Sequence, residues 1–325
     1  MSIIETRGTW TDLVPGVGLE MAEVFDQGQE EYIVGLTSVV NSSSEGGKAA
    51  KHFTGKTGVG RIEQFEDGDD IPGGRRYKTY TTDVAYVSYG KHLDVTKLSI
   101  EDREYTNELD EMKDLSMGAN YSQDEAACQL FNGGFSTNSK INGYTVNLYG
   151  DGKATFSTQH PTVVPGASSQ SNASATGAAL TIDNLEIAKV ALIEQRTDDG
   201  LAMALLGKPT IVVPPALERE AKEKVDSELT PESNLNAINV FRGTMDIVSS
   251  TFFAAVNGGS NTAWYVIVPG KHKLFHEVRQ SPRLDMDTNI KNKIVTFTVD
   301  ARWVEYVKDW RRTWGSRGDG AAYSG

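Results

Sequence analysis

From Ser99 to the Gly133-Gly134 pair the chain carries about one apolar position per helical turn: Tyr105, Leu109, Met112, Leu115 or Ser116, Ala119, Ala126 and Leu130. Recurrence at three and four residues predicts a single helix, started by Ser99 with Asp102 three residues on. Roughly thirty residues rising 1.5 Å each make a rod of about 45 Å. The opposite face is strongly acidic and the apolar stripe is narrow. Few globular domains need so long a helix with so little to bury, and Gly118 and Asn120 are the places where it would bend.

The segments before the rod share its shortage of partners. Residues 1 to about 50 run acidic, then polar and Gly/Ser-rich through "NSSSEGGK", with few periodic apolar positions. Such a segment is ordered only by lying on something else, and it reads as an arm that is not strongly helical. From about Phe53 to Val95 the pattern turns to strands. "GVGRIEQF" and "RRYKTYTTDVAYVSYGKHLDV" alternate at period two, separated by the turn-rich "EDGDDIPGG" from Glu66 to Gly74. This predicts a long two-stranded hairpin, and an isolated hairpin is marginal in water.

After the rod, Phe135 to Ala179 is low in charge and rich in Gly, Ser, Asn and Thr, a loop-rich insertion that contains "FSTQHP". A compact α/β region follows. Asp183 and Glu186 begin a helix with Leu185, Ala188 and Leu192 on one side, and "PTIVV" supplies a buried strand. Pro214 and Pro215 open a second helix, where first-turn amides have no partner to lose. Leu217, Ala221 and Val225 line its inner face, while Glu218-Lys222 and Glu220-Lys224 pair outside. "AINVF", "TMDIVSS" and "AWYVIVPG" read as strands, and "NKIVTFTVDARWVEYVKDWRRTWGS" as one long final strand.

Composition narrows the functions available. A formal charge of -12 is a poor basis for gripping nucleic acid. The single cysteine, Cys128, excludes an intrachain disulfide and a cysteine-only metal cluster. No apolar stretch approaches the roughly 18 residues of a membrane span, and "MSIIETRGTWTDLVPG" lacks the pattern of a secretory signal.

Motifs that would carry chemistry are weak. "AKHFTGKT", Ala50 to Thr57, fits a relaxed phosphate-loop spacing, but no buried strand enters it and no helix leaves. It reads as a polar loop opening the hairpin. At Gly207-Lys208, Pro209 occupies the position that would ligate magnesium. His272 and His276 have a metal-compatible spacing, yet they and His52, His92 and His160 read as ordinary surface histidines. The acidic run has no EF-hand alternation, and Arg317-Gly318-Asp319 is a coincidental adhesion tripeptide. No cofactor, metal or catalytic residue is expected.

Arm, hairpin and rod all lack partners within the chain, so other copies are the simplest source of buried surface. In this order the elements resemble a tailed-phage major capsid protein of the Hong Kong phage type. "FSTQHP", "GKPTIVVPPALEREA" and the closing "WRRTWGS" are similar to the phage Mu-type major head subunit. The resemblance implies an α+β fold. It makes residues 1–52 an N-terminal arm, 53–95 an extended loop overlapping a neighbour, and 96–181 a peripheral domain with a spine helix. Residues 182–275 become an axial domain meeting its copies at five-fold and quasi-six-fold axes, and 276–325 return strands of the peripheral domain.

It further implies hexamers and pentamers of an icosahedral virion shell, assembled in the host bacterial cytoplasm around double-stranded DNA that is enclosed without sequence-specific binding. A portal protein, and scaffolding and decoration proteins, are the other partners of the family. The loop charges Glu66, Asp67, Asp69, Asp70, Arg75 and Arg76 would set contacts between subunits. Many family members begin with a removable scaffolding segment; the arm here starts within the first residues, which implies a separate scaffold or none. An encapsulin-like compartment shell and a nucleotide-dependent enzyme are the alternatives.

Overall fold

A computed structural model of the chain describes residues 10–31, 39–43, 50–66, 70–71, 73–102, 106–203, 207–229, 238–289, 291–323 and 325. In chain order its elements are α1 (Trp10–Glu31), β1 (Asn41–Ser43), β2 (Ala50–Lys56), β3 (Lys78–Ala85), β4 (Val87–Thr96), α2 (Lys97–Asp102), α3 (Thr106–Asn132), β5 (Lys140–Ile141) and β6 (Tyr144–Asn147). The second half adds α4 (Ile182–Glu194), β7 (Thr210–Val213), α5 (Pro215–Val225), β8 (Asp246–Ser249), β9 (Trp264–Ile267), β10 (Lys273–Asn289), β11 (Ile294–Asp309) and β12 (Thr313–Ser316). The class is α+β, as expected.

β10 and β11 form a long antiparallel ribbon at the centre of a six-stranded sheet ordered β1-β10-β11-β6-β5, with β4 also paired along β11. Val295, Phe297, Val299, Ala301 and Trp303 alternate along β11 and are all buried, the period-two pattern of a strand with one packed face. Val295, Phe297 and Val299 pack with Met112 of α3 and with Val17, Met21 and Phe25 of α1.

The rod is described in two stretches, α2 and α3. α2 starts at Lys97, where Thr96 Oγ1 accepts from Ser99 N at 3.3 Å, so Thr96 rather than Ser99 caps it. α3 then begins at Thr106; Tyr105 lies outside the described residues. Its thin stripe holds Met112, Ser116 and Asn120, whereas from Gln123 onward nearly every side chain is buried. There Phe131 packs against Tyr265, with ring centroids 5.3 Å apart, and against Phe253 at 5.7 Å.

α1 corrects the reading of an arm that is not strongly helical. Val17, Met21 and Phe25 recur every four residues and are buried. Full burial of such a side chain is worth about 1.5–3 kcal/mol, as an upper estimate. α1 closes on α3 at Gly28, where a Cβ would lie 2.9 Å from the Lys113 carbonyl oxygen and from Ser116 Cβ. Backbone groups then bond across the seam. Ser116 Oγ donates to Phe25 O (2.5 Å), Gln29 Nε2 to Ser116 O (2.7 Å) and Asn120 Nδ2 to Gln29 O (3.2 Å). A narrow stripe is enough for the rod because its neighbour is a second helix held partly by polar contacts.

The second sheet runs β12-β9-β7-β8. Its fully buried strands send alternate residues to two faces. Ile211, Val213, Trp264 and Val266 join Leu185, Ala188, Leu192, Ala221 and Val225 of α4 and α5, while Val212, Tyr265 and Ile267 meet the end of α3. Pro215 opens α5 as expected, and Lys222 pairs with Glu218 at 2.5 Å. "AINVF" is not a strand: Ile238 makes an isolated bridge to Leu229 and a turn follows.

The final strand is also two strands. It breaks at Trp310–Arg312, where Arg312 adopts φ 64, and β12 leaves the first sheet to pair with β9 of the second. Arg311 holds this corner through Asp198 (2.7 Å), Asp309 (3.2 Å) and the Arg196 carbonyl (2.8 Å). Beside it the loop-rich insertion is knitted by buried Asn172, which bonds Thr155 O, Ser157 N and Thr313 Oγ1.

Candidate functional site

Between β2 and β3 the chain leaves the body. The two strands pair antiparallel from Ala50↔Ala85 to Lys56↔Lys78. The chain passes Tyr86, and β4 turns away to pair with β11. The expected hairpin of "GVGRIEQF" with everything to Val95 is therefore corrected: Gly58 to Phe65 has no regular structure, and the second half serves two sheets. Alternation alone could not reveal that break, because both strands keep the same period.

Beyond the ribbon two bonds close the mouth of a loop. Thr57 N donates to Tyr77 O and Tyr77 N to Thr57 Oγ1, both at 2.9 Å. The legs of the loop touch at Gly74, where a Cβ would sit 1.9 Å from Val59 Cγ1, so only glycine lets them approach so closely. Gly58 N donates to Asp199 Oδ2 at 2.6 Å, tying the root of the loop to the turn after α4.

The described residues past that root are exposed. They include Ile62 (98% exposed), Ile71 (74%), Phe65 (52%) and Val59 (49%). Glu66, Asp70, Arg75 and Arg76 are exposed as well and, among the described residues, form no ion pair within the chain. Asp67 and Asp69 lie outside the described residues. Large apolar side chains left exposed on one loop make it a candidate surface for another molecule.

A second uncovered region lies between α3 and β4. It is a cleft of about 620 Å³ lined by Tyr89, Leu93, Leu115, Tyr144 and Trp303, with Glu111 and Asp114 in its wall. Tyr89 stacks on Trp303, centroids 4.1 Å apart. Burial, reinforced by Glu305, pushes the Tyr89 hydroxyl up to about 12. Ile187 and Ile193 on α4 are exposed too.

The weak motifs fall to structural roles. Lys56 ends a strand with no helix behind it. Lys208 pairs with Asp246 at 2.6 Å. Arg317 pairs with its own Asp319 at 2.8 Å. Three histidines read as surface residues are buried instead. His160 bonds Asp151 at 2.7 Å and stacks on Trp310, His276 bonds Glu305 at 2.7 Å, and His272 lies beneath β1. What buries them is distant in sequence, Trp310 over His160, Glu305 beside His276 and β1 over His272, so nothing local announces the burial. Among the described residues no group of three His, Cys, Asp or Glu side chains could hold a metal ion, and no helix is long and apolar enough to cross a membrane.

Residues 79–314 match the family model described as phage capsid protein. This chain belongs to that family. Solved structures similar to this capsid protein include the capsid of Myoviridae phage XM1, with TM-score 0.51 and 13% identity over 88% of this chain and 92% of that one. The asymmetric unit of the bacteriophage PhiM1 mature capsid has TM-score 0.54 and 11% identity over 87% and 86%. The capsid of cyanophage P-SCSP1u has TM-score 0.53 and 10% identity over 87% and 87%. At such identities the likeness concerns the fold, which is that of tailed-phage major capsid proteins. No relative is found among curated proteins. The family match starts inside β3, so α1 and the projecting loop lie outside it.

Proposed function

We propose that this capsid protein is the major head subunit of a tailed double-stranded DNA phage, and that it builds an icosahedral shell of hexamers and pentamers around the genome. The observation that carries the reading is the projecting loop, with Val59, Ile62, Phe65 and Ile71 left in water on a folded body. Burying each against a neighbour is worth about 1.5–3 kcal/mol. Exposed ion pairs contribute about 0–1 kcal/mol each, so Glu66, Asp67, Asp69, Asp70, Arg75 and Arg76 select register while apolar area holds the contact.

On this reading residues 53–95 are the extended loop and its mount, and the six-stranded sheet with α3 is the peripheral domain. The four-stranded sheet is the axial domain, joined by β12 from the last segment. The role is structural rather than catalytic. Shells form in the host cytoplasm, with a portal protein and with any scaffold or decoration protein as further partners. The -12 charge suits a wall that encloses DNA without adhering to it. Kinship with the Mu-type head subunit rests on "GKPTIVVPPALEREA".

The test is to express the full chain and a form lacking Phe65 to Arg76, and to image both by electron microscopy. The expected result is shells from the first and soluble, folded subunits from the second. Normal shells from the deletion would overturn the loop's role, and particles filled with protein cargo would overturn the enclosure of DNA.

A further inference from the structure

The β2–β3 ribbon that carries the loop is a two-stranded sheet of its own, paired to neither larger sheet. Something other than strand pairing must therefore aim it. Its underside shows what. Glu277 on β10 is fully buried, and its carboxylate accepts from three groups at once. Lys51 Nζ from β2 pairs with Oε1, as does the hydroxyl of Tyr86 at the joint between β3 and β4. Tyr306 Oη from β11 donates to Oε2 at 3.0 Å. The Arg279 guanidinium covers the Tyr86 ring, 5.5 Å from its centroid. Burial, with the bond to Glu277, raises the Tyr86 hydroxyl above its ordinary value and keeps it protonated as a donor.

Around this carboxylate lies an aromatic stack that crosses the same joint. Phe53 of β2 stacks on Tyr306 at 5.2 Å, and Phe275 stacks on Tyr306 at 5.2 Å. Offset stacking is satisfied over a range of centroid distances of about 4.5–7 Å, so the stack alone leaves the ribbon some latitude. A buried carboxylate with three directed partners is not so tolerant, and the best-attested use of a buried ionic group is to fix one arrangement among several of similar packing. Other ties hold the ribbon too, but with less direction: Thr82 Oγ1 donates to Val307 O at 3.4 Å, buried Val84 packs with Val304 and Tyr306, and Gly58 bonds Asp199 at the exposed root.

We infer that Glu277 is the positioning residue of the projecting loop: it holds Lys51 and Tyr86 so that the ribbon leaves the body in one direction, the direction in which a neighbouring copy is met. This rests on the assembly reading above, but the aiming itself is a property of the single subunit. Glu277 touches no neighbour in this scheme. It acts through the ribbon.

The experiment places spin labels at Ile62→Cys in the loop and Val256→Cys on the body, both highly exposed in the native chain, and leaves buried Cys128 in place. Distances are measured on unassembled subunits, and shell yield is measured on unlabelled protein. Glu277→Gln removes the buried carboxylate charge facing half-buried Lys51, so it is paired with the double variant Lys51→Met, Glu277→Gln, which removes both charges of the pair. The expected result is a single narrow distance in the parent, a several-fold broader distribution in both variants, and at least about a tenfold loss of closed shells, the fold-change of about 1.4 kcal/mol. Lys51→Arg, which keeps the bond, should restore the narrow distance. A narrow distance in the double variant overturns the inference. So does a broad distance accompanied by a normal yield of shells. A parent chain that forms no shells sinks the assembly reading, while the distances still decide the aiming.

Discussion

α1 and the projecting loop look alike in sequence, two outlying segments with few apolar residues and no evident support, yet the fold treats them in opposite ways. α1 buries Val17, Met21 and Phe25 against α3 and β11. The loop buries none of Val59, Ile62, Phe65 or Ile71. The difference lies in spacing. Three large residues at four-residue intervals make one face, and Gly28 brings that face close enough for Ser116 and Asn120 to bond across. The loop has fewer apolar residues, and Val59, Ile62, Phe65 and Ile71 sit on two legs that meet at Gly74 and stay exposed. Regular spacing as well as hydrophobic content thus separates a segment with an internal partner from one without.

The comparison can be broken most forcefully at Met21, which has no exposed surface. Met21→Ala should lower unfolding free energy by about 2–5 kcal/mol in urea titration; an unchanged midpoint would mean that α1 is not part of the folded body. Next comes His272, whose imidazole burial pushes down to about 4 against a raising bond with the Val39 backbone. Asn41 of β1 also donates to the His272 carbonyl. With the folded value below the unfolded one, its contribution is complete above about pH 6.5 and lost as pH falls toward 4. That amounts to roughly 3 kcal/mol. His272→Gln should abolish this acid lability, as read from melting temperature against pH, and a parent with flat stability over that window would contradict it.

A smaller effect is expected at Gly28→Ala. Overpacking against the Lys113 carbonyl costs about 1–3 kcal/mol, and the better helix propensity of alanine returns about 1 kcal/mol. A net loss of about 1 kcal/mol should follow, and a gain in stability would show that α1 and α3 have room to part. The least effect belongs to the loop. Ile62→Ser with Phe65→Ser should leave subunit stability within about 0.5 kcal/mol, because neither side chain is buried in the subunit. A larger loss would place the loop in the core after all.

Local pattern made the second sheet legible. "PTIVV", "TMDIVSS" and "AWYVIVPG" became β7, β8 and β9, and the two prolines stand at the opening of α5. Those elements are decided by neighbours in sequence. What escaped was decided at long range. α1 needed α3 beneath it, and the buried carboxylate of Glu305 needed His276, a partner 29 positions away. β11 and β12 share one strand-forming pattern, and only the positive φ of Arg312 separates them. Of the candidate contact residues, Glu66, Asp70, Arg75 and Arg76 stand exposed as their composition suggests. The exposed apolar residues of the same loop, Val59, Ile62, Phe65 and Ile71, have no period in the sequence to mark them.

The turn at Trp310–Arg312 has a mechanical corollary. One continuous backbone serves both sheets there, and a buried guanidinium rivets its bend to two carboxylates and a carbonyl. Tension applied to either half passes at once through covalent bonds into the other. A wall made of such units would yield first along its seams, where copies merely touch, and each tile would stay whole.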